Sequence, residues 1–543
     1  MNAPTDAPEK DPIEVGSFFL ETLTTGMYED PFHCIREYVQ NGYDAINDAI
    51  RAGILKEGEG RVLISVGGTA KSPNLSIRDN GIGVGRARAY TTLVSLGASR
   101  KLPTQHAGFR GIGRLAGIAY CTTLRFTTKA KGDLQATVVE YDCGRIRGFL
   151  TPGAEPQDVR HVVRTSVKER TFDAAADEHF TEVEMMSLTS LGLEFVDMDK
   201  LHPYLRQTCP VNYADNFDYA ERIRALASGY GDSIGIIDVE TRVKRERVPI
   251  HKPYKNSAAV GGTKRASTST LYDIETFTSK EHGWYGWIGK SNFVGEITDD
   301  TVAGARFRVK NIQIGDSRLI EDLAEELTPV GTERRLQRWA VGEIFITNTR
   351  VVPNARRDGF EDNQAWRDIR RDIKEKVVKR VVKLIRSASD ARTNLKKSTG
   401  AYSDLFSRVT APNFTAAEKT RLTTLIKRQI DLLGSEKVLA GADPKEISSL
   451  LSRYKELQER LAKRPVDDPQ PTEPQPPDDE EGADAETEAD QQPDSTAGED
   501  DGGQPGGPKR PDVLDIVADV LRQELGKPEA ERLMTLIRAR LVG

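Results

Sequence analysis

The order of apolar and polar positions divides the first part of the chain into one long helix and a series of strands. Residues 33–53 carry apolar side chains at helical spacing and end at Gly53, which indicates an amphipathic helix. Apolar and polar residues then alternate in five short segments, as is typical of half-buried strands. These segments are 61–66, 75–80, 122–130, 136–142 and 179–186. Because Gly-rich connections separate them, we expect an α/β sandwich over residues 13–195.

The pattern of the chain changes after residue 195. Residues 196–400 predict a second α/β domain, with strands at 307–314 and 342–347 and a long basic helix at 366–389. Residues 401–464 are helical and heavily charged. Their leucines recur at helical spacing, which favours a short coiled coil or an amphipathic hairpin.

Three further segments lack the pattern of an independent core. Residues 1–12 are acidic and Pro-rich, and we expect them to be disordered. Residues 465–510 form an acidic linker that cannot bury enough apolar surface to fold. Residues 511–543 predict a helical segment that is too small for a core of its own. We expect this last segment to dock on another surface, with a second copy of the chain as one option.

Composition limits the class of protein. The chain has 543 residues, of which 37% are hydrophobic and 29% charged, as in ordinary soluble globular proteins. No run of eighteen apolar residues occurs, so we expect no membrane span. The N-terminus has no apolar signal region, and the four cysteines lie far apart. We therefore expect a cytoplasmic protein with reduced thiols and no zinc site.

Charge is distributed unevenly along the chain. Between Pro465 and Pro508 there are fifteen Asp or Glu and no Lys or Arg, while the net charge of the whole chain is −6. The remainder is therefore positive. A basic body with an acidic tail fits a nucleic-acid partner, but a solvated linker that maintains solubility is the simpler interpretation.

The helix at 33–53 carries the first motif with chemical meaning. Glu37 and Asn41 are four residues apart and share one helix face, and Asp44 follows three residues later. An amide oxygen suits one position of octahedral Mg²⁺, and a carboxylate can orient and deprotonate an attacking water. Taken alone, the motif is more typical of a solvated polar helix face.

The second motif, Asp79-Asn80-Gly81-Ile82-Gly83, directly follows a predicted strand. An aspartate at the end of a buried strand can accept a hydrogen bond from an exocyclic amine such as that of adenine. The glycines let the backbone approach the ring without a Cβ clash. An Asn-Gly turn between strands is the alternative interpretation.

The third motif is the glycine-rich loop 108–113, Gly-Phe-Arg-Gly-Ile-Gly, followed by a predicted helix at 114–121. Free N–H groups at such a loop, together with the positive end of a helix dipole, bind phosphate. A lone glycine fingerprint is weak evidence. We interpret residues 84–110 as a lid that closes over nucleotide.

The order and spacing of the three motifs resemble those of the GHKL (Bergerat-fold) ATPase superfamily. IREYVQNGYDAI resembles its N-box, IRDNGIGV its DxGxG box and GFRGIG its second glycine box. HFTEVEM resembles the strand whose threonine contacts the adenine-binding aspartate, although Phe180 stands where a glycine is usual before Thr181. The resemblance implies a left-handed β-α-β crossover sandwich that binds ATP in a bent pose.

The same resemblance implies a set of site residues for an Mg²⁺-dependent ATPase. Glu37 would be the catalytic base, and Asn41 would hold Mg²⁺. The implied nucleotide-binding residues are Asn41, Asp44, Ala45, Asp79, Gly81, Ile82, Gly83, Ser99, Gly108, Phe109, Arg110, Gly111, Ile112, Gly113 and Thr181.

Residues 352–385 resemble the middle-domain segment of heat-shock-protein-90-type chaperones, in which an Asn and an Arg three residues later precede a helix rich in bases. By position these are Asn354 and Arg357, and Arg357 would reach the γ-phosphate as a second catalytic residue. Lys310 is its rival, because MutL and gyrase relatives use a lysine from this domain. The resemblance thus implies a transducer-like middle domain similar to the ribosomal S5 fold.

The domain plan resembles the MORC ATPases, and GFRG resembles MutL. We therefore expect a clamp that dimerises or closes on nucleotide binding and acts on DNA. A heat-shock-protein-90-like chaperone acting on a client protein is the alternative, and a module that binds ATP without hydrolysing it is a third hypothesis. A histidine kinase is not expected, because only about 30 residues precede the N-box helix. The basic face at 367–386 could contact phosphates, but a solvated face balanced by its own acids is slightly favoured.

Overall fold

The computed structural model describes most of the chain between residues 30 and 467. The described residues are Gly16, 30–97, 101–102, 105–108, 111, 113–151, 153–155, 157–232, 234–261, 267–327, 332–412, 414–439, 441–467, 531 and 534. The chain divides into two compact units, residues 1–469 and 470–543, and every element below belongs to the first. The segments predicted at 1–12 and 511–543, and nearly all of 465–510, lie outside the described residues.

The described residues form a mixed α/β fold around two sheets. The first sheet has eight strands in the order β5-β4-β3-β6-β2-β1-β7-β8. Its strands are β1 Arg61–Thr69, β2 Ser72–Asp79, β3 Cys121–Lys129, β4 Gln135–Asp142, β5 Val167–Asp173, β6 Phe180–Leu188, β7 Asp238–Val243 and β8 Glu246–Ile250. Neighbouring strands are antiparallel except β1 and β7, which are parallel.

Two strands of this sheet lie beyond the expected domain end at residue 195. β7 pairs with β1 from Arg61↔Asp238 to Val66↔Val243, and β8 pairs with β7. The sheet therefore continues past that boundary. A boundary drawn from changes in local pattern does not detect this, because strand pairing joins segments far apart in sequence.

Helices cover one face of the first sheet. They are α1 Phe32–Arg51, α2 Arg86–Val94, α3 Cys143–Phe149, α4 Val159–Ser166 and α5 Met198–Thr208, with 3₁₀ helices at Gly113–Ala119 and Leu191–Val196. Every second residue of β2 is buried against this layer, which is the pattern of a sheet with one covered face. The other face carries ion pairs such as Arg125 with Glu140 and Glu184. The helix predicted at 114–121 is a short 3₁₀ helix, because strand β3 begins at Cys121.

Helix α1 forms because its apolar residues share one face and its first turn is capped. The Asp30 carboxylate accepts a hydrogen bond from the Phe32 N–H at 2.8 Å, which satisfies one unpaired donor of the helix start. Ile35, Val39 and Ile46 are at most 1% exposed in the domain core. This packing fixes which face of α1 is turned toward the sheet and its loops.

The second sheet has six strands in the order β13-β12-β14-β11-β10-β9. They are β9 Ser257–Val260, β10 Ser267–Ser279, β11 Trp284–Ser291, β12 Gly304–Val309, β13 Ile312–Ile314 and β14 Val341–Ile346. Helices α6 Ala220–Gly229, α7 Arg318–Glu325 and α8 Thr332–Gln337 accompany it. The single strand predicted at 307–314 is instead a hairpin, since Lys310 and Asn311 turn the chain with φ of 51° and 62°. A two-residue turn leaves the alternating pattern unbroken, so the sequence did not reveal it.

A buried charge cluster holds the hairpin of β12 and β13 in place. Glu343 accepts hydrogen bonds from Lys252, at 2.9 Å, and from Arg308, and all three side chains are fully buried. Burial opposes ionisation, but Arg308 and Lys252 lower the pKa of Glu343 to about 2. Arg308 also donates to the Asn311 carbonyl at 2.9 Å, and Asn311 donates to the carbonyl of Gly235 at 3.1 Å. These hydrogen bonds thus fix the position of the β12–β13 turn that carries Lys310.

One continuous helical rod follows the second sheet. It consists of α9 Gln364–Ile373, a π-helical turn Lys374–Val378 and α10 Lys379–Thr410. The rod crosses residue 400, an expected domain boundary, because α10 contributes to two cores, one up to Ala388 and the next from Ala391.

Beyond this rod, the predicted coiled coil or hairpin is a three-helix bundle. The second half of α10 packs with α11 Ala416–Leu433 and α13 Pro444–Lys463, and the short α12 Glu436–Leu439 lies between the last two. Leu395, Leu422 and Leu457 are among its buried side chains. Within the described part of the chain, no helix is long and apolar enough to span a membrane.

Candidate nucleotide site

A cavity of about 240 Å³ opens between α1, the end of β2, the 3₁₀ helix and a loop of the middle region. It contains most of the described residues expected to bind nucleotide. These are Glu37, Asn41, Ala45, Asp79, Ile82, Gly83, Gly108, Gly111, Gly113, Thr181 and Arg357. Asp44 and Gly81 adjoin the cavity through hydrogen bonds to Gly108 and Asp79. Ser99, Phe109, Arg110 and Ile112 lie outside the described residues.

Helix α1 presents its polar face to this cavity. Asp44 is 1% exposed, and its carboxylate accepts hydrogen bonds from the N–H groups of Ala107 at 2.7 Å and Gly108 at 2.9 Å. The Lys101 ammonium lies 2.9 Å from Asp44 Oδ2 and 3.4 Å from Asn41 Oδ1. Asp44 therefore ties the glycine-rich loop to α1, and Lys101 brings positive charge to the same point.

Asp79 lies at the end of β2, opposite Thr181 of β6 in the sheet register. Its carboxylate accepts a hydrogen bond from the Gly81 N–H at 2.8 Å. Burial raises the pKa of Asp79 to about 6, although the backbone N–H groups of Gly81 and Thr181 act in the opposite direction. The side chain is thus a buried acceptor in the cavity, as recognition of an amine requires.

At two positions, neighbouring atoms lie so close to the backbone that only glycine fits. Gly83 has φ of +67°, and a Cβ there would lie 1.9 Å from the Lys129 carbonyl oxygen. A Cβ on Gly113 would lie 2.2 Å from Glu37 Oε2. The second glycine lets the 3₁₀ helix approach the Glu37 carboxylate closely.

Arg357 brings the middle region into the cavity. It is 6% exposed, and its Nε donates to Glu37 Oε1 at 3.1 Å, while an Nη donates to the Ala107 carbonyl at 2.6 Å. The backbone of Arg357 is left-handed, with φ of 59°, and its N–H donates to the Asn354 carbonyl at 3.2 Å. The Asn354 side chain donates a hydrogen bond to Asp358 at 2.5 Å, so Asn354 stabilises the shape of the loop. Arg357 is the one of the two residues that lines the cavity.

Lys310 lies beside a neighbouring cavity of about 220 Å³ that also borders on Arg357. Burial lowers the pKa of Lys310 to about 8, while Asp44 raises it and Arg357 lowers it further. The rival lysine is therefore close enough to the site to interact with its charges. Arg357, however, is the one of the two that lines the main cavity.

The donor set fits Mg²⁺ held together with nucleotide. Asn41 supplies a hard amide oxygen in the cavity, which already faces the cationic Lys101. Among the residues that the structure describes, no cluster of three His, Cys, Asp or Glu could hold a metal alone. Asn41 would thus supply one ligand and the phosphates others, with the metal offsetting phosphate charge.

Residues 28–156 match the family model of histidine kinase-, DNA gyrase B- and HSP90-like ATPases. The chain carries a GHKL ATPase domain. The match covers all three motifs, and the family assigns ATP binding and ATP hydrolysis to this domain. No curated protein matches the chain in sequence.

Strand β6 of the GHKL domain is intact, although Phe180 occupies the position before Thr181 where a glycine is usual. Phe180 is 5% exposed, and the Arg78 guanidinium lies 3.6 Å from its ring centroid. This cation–π contact accommodates the larger side chain at the sheet surface. The register between Asp79 and Thr181 is kept.

Sequence reasoning missed several residues of the cavity. Tyr38 donates its hydroxyl hydrogen to the Arg114 carbonyl at 3.0 Å and accepts the Gly117 N–H at 2.9 Å, fixing the 3₁₀ helix. Lys101 and Asp48 also line the cavity. Lys101 lies within residues 84–110, which the sequence analysis interprets as a lid, and this position was the available signal. Tyr38 gave none, because it sits on the apolar side of α1.

Proposed function

We propose that this protein is an Mg²⁺-dependent ATPase that closes and dimerises on nucleotide binding and acts as a clamp on DNA. The observation that carries this proposal is the contact of Arg357 with Glu37. It links the middle region directly to the carboxylate expected to activate water. On this proposal, nucleotide chemistry would be coupled to the arrangement of the two sheets through this ion pair.

The chemistry follows from competition for Arg357. While it is paired with Arg357, the Glu37 carboxylate is engaged and less available to hold an attacking water. The γ-phosphate of ATP is a stronger partner for a guanidinium, since it offers several anionic oxygens. Arg357 would turn to the phosphate, stabilise charge developing on it and free Glu37 for the attacking water.

The charge distribution supports one location for the proposed contact with DNA. On the helical rod from 364 to 410, most bases of the proposed face are already in ion pairs. These pairs are Arg367–Asp362, Arg370–Glu326, Arg371–Asp368, Lys374–Glu326, Lys376–Asp372, Lys379–Glu375, Arg380–Glu275 and Arg386–Glu333. The bundle shares the end of this rod and comprises residues 391–464. These residues include fifteen Lys or Arg and eight Asp or Glu. We assign the phosphate-contacting surface to this bundle.

One part of the bundle surface is suited to phosphates. The Arg453 guanidinium lies 4.1 Å from the Tyr402 ring centroid, and that of Arg460 lies 5.4 Å from the Phe406 ring centroid. A cation–π contact with a ring does not use the N–H groups of a guanidinium, so these groups can still bind an anion. Within the described residues, neither arginine forms an ion pair with a carboxylate.

A topological experiment tests the clamp. We expect ATP to cause salt-resistant retention of the full-length protein on closed circular DNA, with release when the circle is linearised. A non-hydrolysable analogue should extend retention and shift the protein to a dimer in light scattering. If DNA neither binds at low salt nor changes the ATPase rate, the clamp is wrong and a chaperone acting on a client protein becomes the better explanation.

A further inference from the structure

A row of polar side chains crosses the first sheet beside the nucleotide cavity. Asp79 of β2 pairs with Thr181 of β6, and Thr181 pairs with Thr128 of β3. Thr128 in turn pairs with Thr137 of β4. Residues directly opposite each other in an antiparallel pair lie on the same face of the sheet, with Cβ atoms about 4.5–5.5 Å apart. The four side chains therefore form one row, of which Asp79 and Thr181 line the cavity.

The Thr128 hydroxyl is buried next to the cavity wall and has three hydrogen-bond partners. Thr128 is 1% exposed. Its Oγ1 lies 2.9 Å from the backbone N of Val84, 3.2 Å from the Phe180 carbonyl oxygen and 3.1 Å from Thr181 Oγ1. A hydroxyl has one proton to donate and two lone pairs that accept. These three contacts therefore use its full capacity.

One arrangement of protons makes all three hydrogen bonds at once. The Val84 N–H can only donate, and the Phe180 carbonyl can only accept. The single proton of Thr128 therefore goes to Phe180, and the Thr181 hydroxyl must donate its own proton to Thr128. Thr181 Oγ1 then has only lone pairs to offer to a ligand in the cavity.

Two hydrogen-bond acceptors consequently face a bound base at this part of the cavity. The first is the Asp79 carboxylate, which accepts from the backbone N–H groups of Gly81 and Thr181 and has further lone pairs. The second is Thr181 Oγ1. The exocyclic amine of adenine carries two N–H donors, whereas guanine has a carbonyl oxygen at the same ring position. A carbonyl placed against two acceptors leaves all three groups without a hydrogen bond, which is costly in a buried site.

We propose that Thr128 is a specificity-determining residue, which makes the site select a 6-amino over a 6-oxo purine nucleotide by holding Thr181 as an acceptor. The proposal rests on the ATP binding of the proposed function and is independent of the DNA clamp. Thr128 acts through Thr181 and is therefore a positioning residue. Removal of its hydroxyl frees the Thr181 proton to turn toward the cavity, where it can donate to a 6-oxo group.

Thr128→Val in the full-length protein tests this role, because valine keeps the shape of threonine without its hydroxyl. Calorimetry measures the binding of the non-hydrolysable imido analogues of ATP and GTP, so the test does not depend on turnover. We expect wild type to prefer the ATP analogue. In Thr128→Val the ratio of the two dissociation constants should move toward one by about tenfold, the size of one hydrogen bond.

The ratio separates selection of the base from a loss of structure. The variant also leaves the Val84 N–H without its partner, but that loss weakens both analogues alike. Thr128→Ala, which cannot overfill the site, should shift the ratio in the same way. Thr128→Ser keeps the hydroxyl and should restore the wild-type ratio.

Thr137→Val is the matched control. Thr137 is the next threonine of the row and is also 1% exposed, but its hydroxyl has no hydrogen-bond partner within the described residues. Its loss should leave the ratio at the wild-type value. An unchanged ratio in Thr128→Val, or an equal shift in Thr137→Val, would overturn the proposal. Equal binding of both analogues by wild type would also overturn it and leave the ATPase function standing. If wild type binds neither analogue, the proposed ATPase function fails, and the specificity of Thr128 fails with it.

Discussion

At the scale of single residues, we expect loss of the Glu37 carboxylate to reduce ATP hydrolysis most specifically, with little effect on ATP binding. Glu37→Gln keeps the shape of the side chain and its contact with Gly113, but removes the charge that accepts a proton. We expect phosphate release from ATP to fall by about 10²-fold or more, with ATP affinity changed only a few-fold. Turnover and equilibrium nucleotide binding measured on the same preparation check this.

Asp48→Asn is the matched control for Glu37→Gln. Asp48 lies on the same helix and the same cavity, where its carboxylate meets His106 Nε2 at 3.2 Å. Because Asp48 does not lie against Gly113 and Arg357, we expect the Asp48→Asn variant to turn over ATP within a few-fold of the wild-type rate. Equal losses in both variants would indicate that any charge change on α1 disturbs the site, and would remove the special role of Glu37.

The buried Asp79 predicts a pH dependence of stability. Its pKa is raised from 3.8 to about 6, so the protonated form is favoured in the folded protein. The stability that it contributes is complete below pH 3.8 and is lost as pH rises through about 6. A shift of this size corresponds to about 3 kcal/mol.

Asp79→Asn isolates that contribution. Without nucleotide, the difference in unfolding free energy, wild type minus Asp79→Asn, should fall by about 3 kcal/mol between pH 4 and pH 7.5. Urea denaturation of both proteins across that range measures it, and subtraction removes the titration of other groups. A difference that is flat or rises with pH would show that the Asp79 carboxylate is not destabilised by burial.

At the scale of elements, the rod from 364 to 410 and the bundle make opposite predictions for DNA. Arg453→Gln with Arg460→Gln removes two guanidinium groups of the bundle that form cation–π contacts. We expect weaker DNA binding and a salt dependence whose slope falls by about one for each phosphate that the variant no longer neutralises. Fluorescence anisotropy at several salt concentrations measures the slope.

Arg367→Gln with Arg371→Gln is the matched control on the rod. Both arginines are already paired, with Asp362 and Asp368 respectively, so their loss releases few DNA counterions. Affinity and slope should stay close to wild type. A larger loss of affinity from the rod pair than from the bundle pair would return the DNA surface to the long helix.

The elements also show how far local pattern determines the fold. Helix α1 and the strands β1, β2, β3, β4 and β6 were predicted close to their bounds, because each alternates or repeats within its own sequence, whereas β5 Val167–Asp173 was not predicted. The turn at Lys310 and the pairing of β7 with β1 were not predicted, because both depend on partners elsewhere in the fold. The candidate site shows the same division: Asp79 belongs to a local sequence motif, whereas Tyr38 acts through the distant Gly117 and no local pattern points to it.

At the scale of the whole molecule, Arg357 and Glu37 are 320 positions apart in sequence yet share one ion pair, whose side chains are 7% and 11% exposed. Such a pair is costly to break from one side, since the remaining charge stays buried without its partner. In the mechanism that we propose, the phosphate of ATP would replace Glu37 as the partner of Arg357, and the attacking water would become the partner of Glu37. The nucleotide can therefore shift how the two sheets are arranged.

Arg357→Ala tests this coupling in the intact protein. Turnover should fall by at least about 10²-fold, while ATP affinity changes only a few-fold, because the missing group stabilises charge that develops during phosphoryl transfer. Without the ion pair, X-ray scattering of the nucleotide-free protein should also report a larger radius of gyration. Arg350→Ala, an exposed arginine earlier in the same loop, is the control and should change neither quantity. If turnover survives in Arg357→Ala but is abolished in Lys310→Ala, the lysine of the β12–β13 turn is the residue that meets the γ-phosphate, and the pair with Glu37 holds the fold together without taking part in the chemistry.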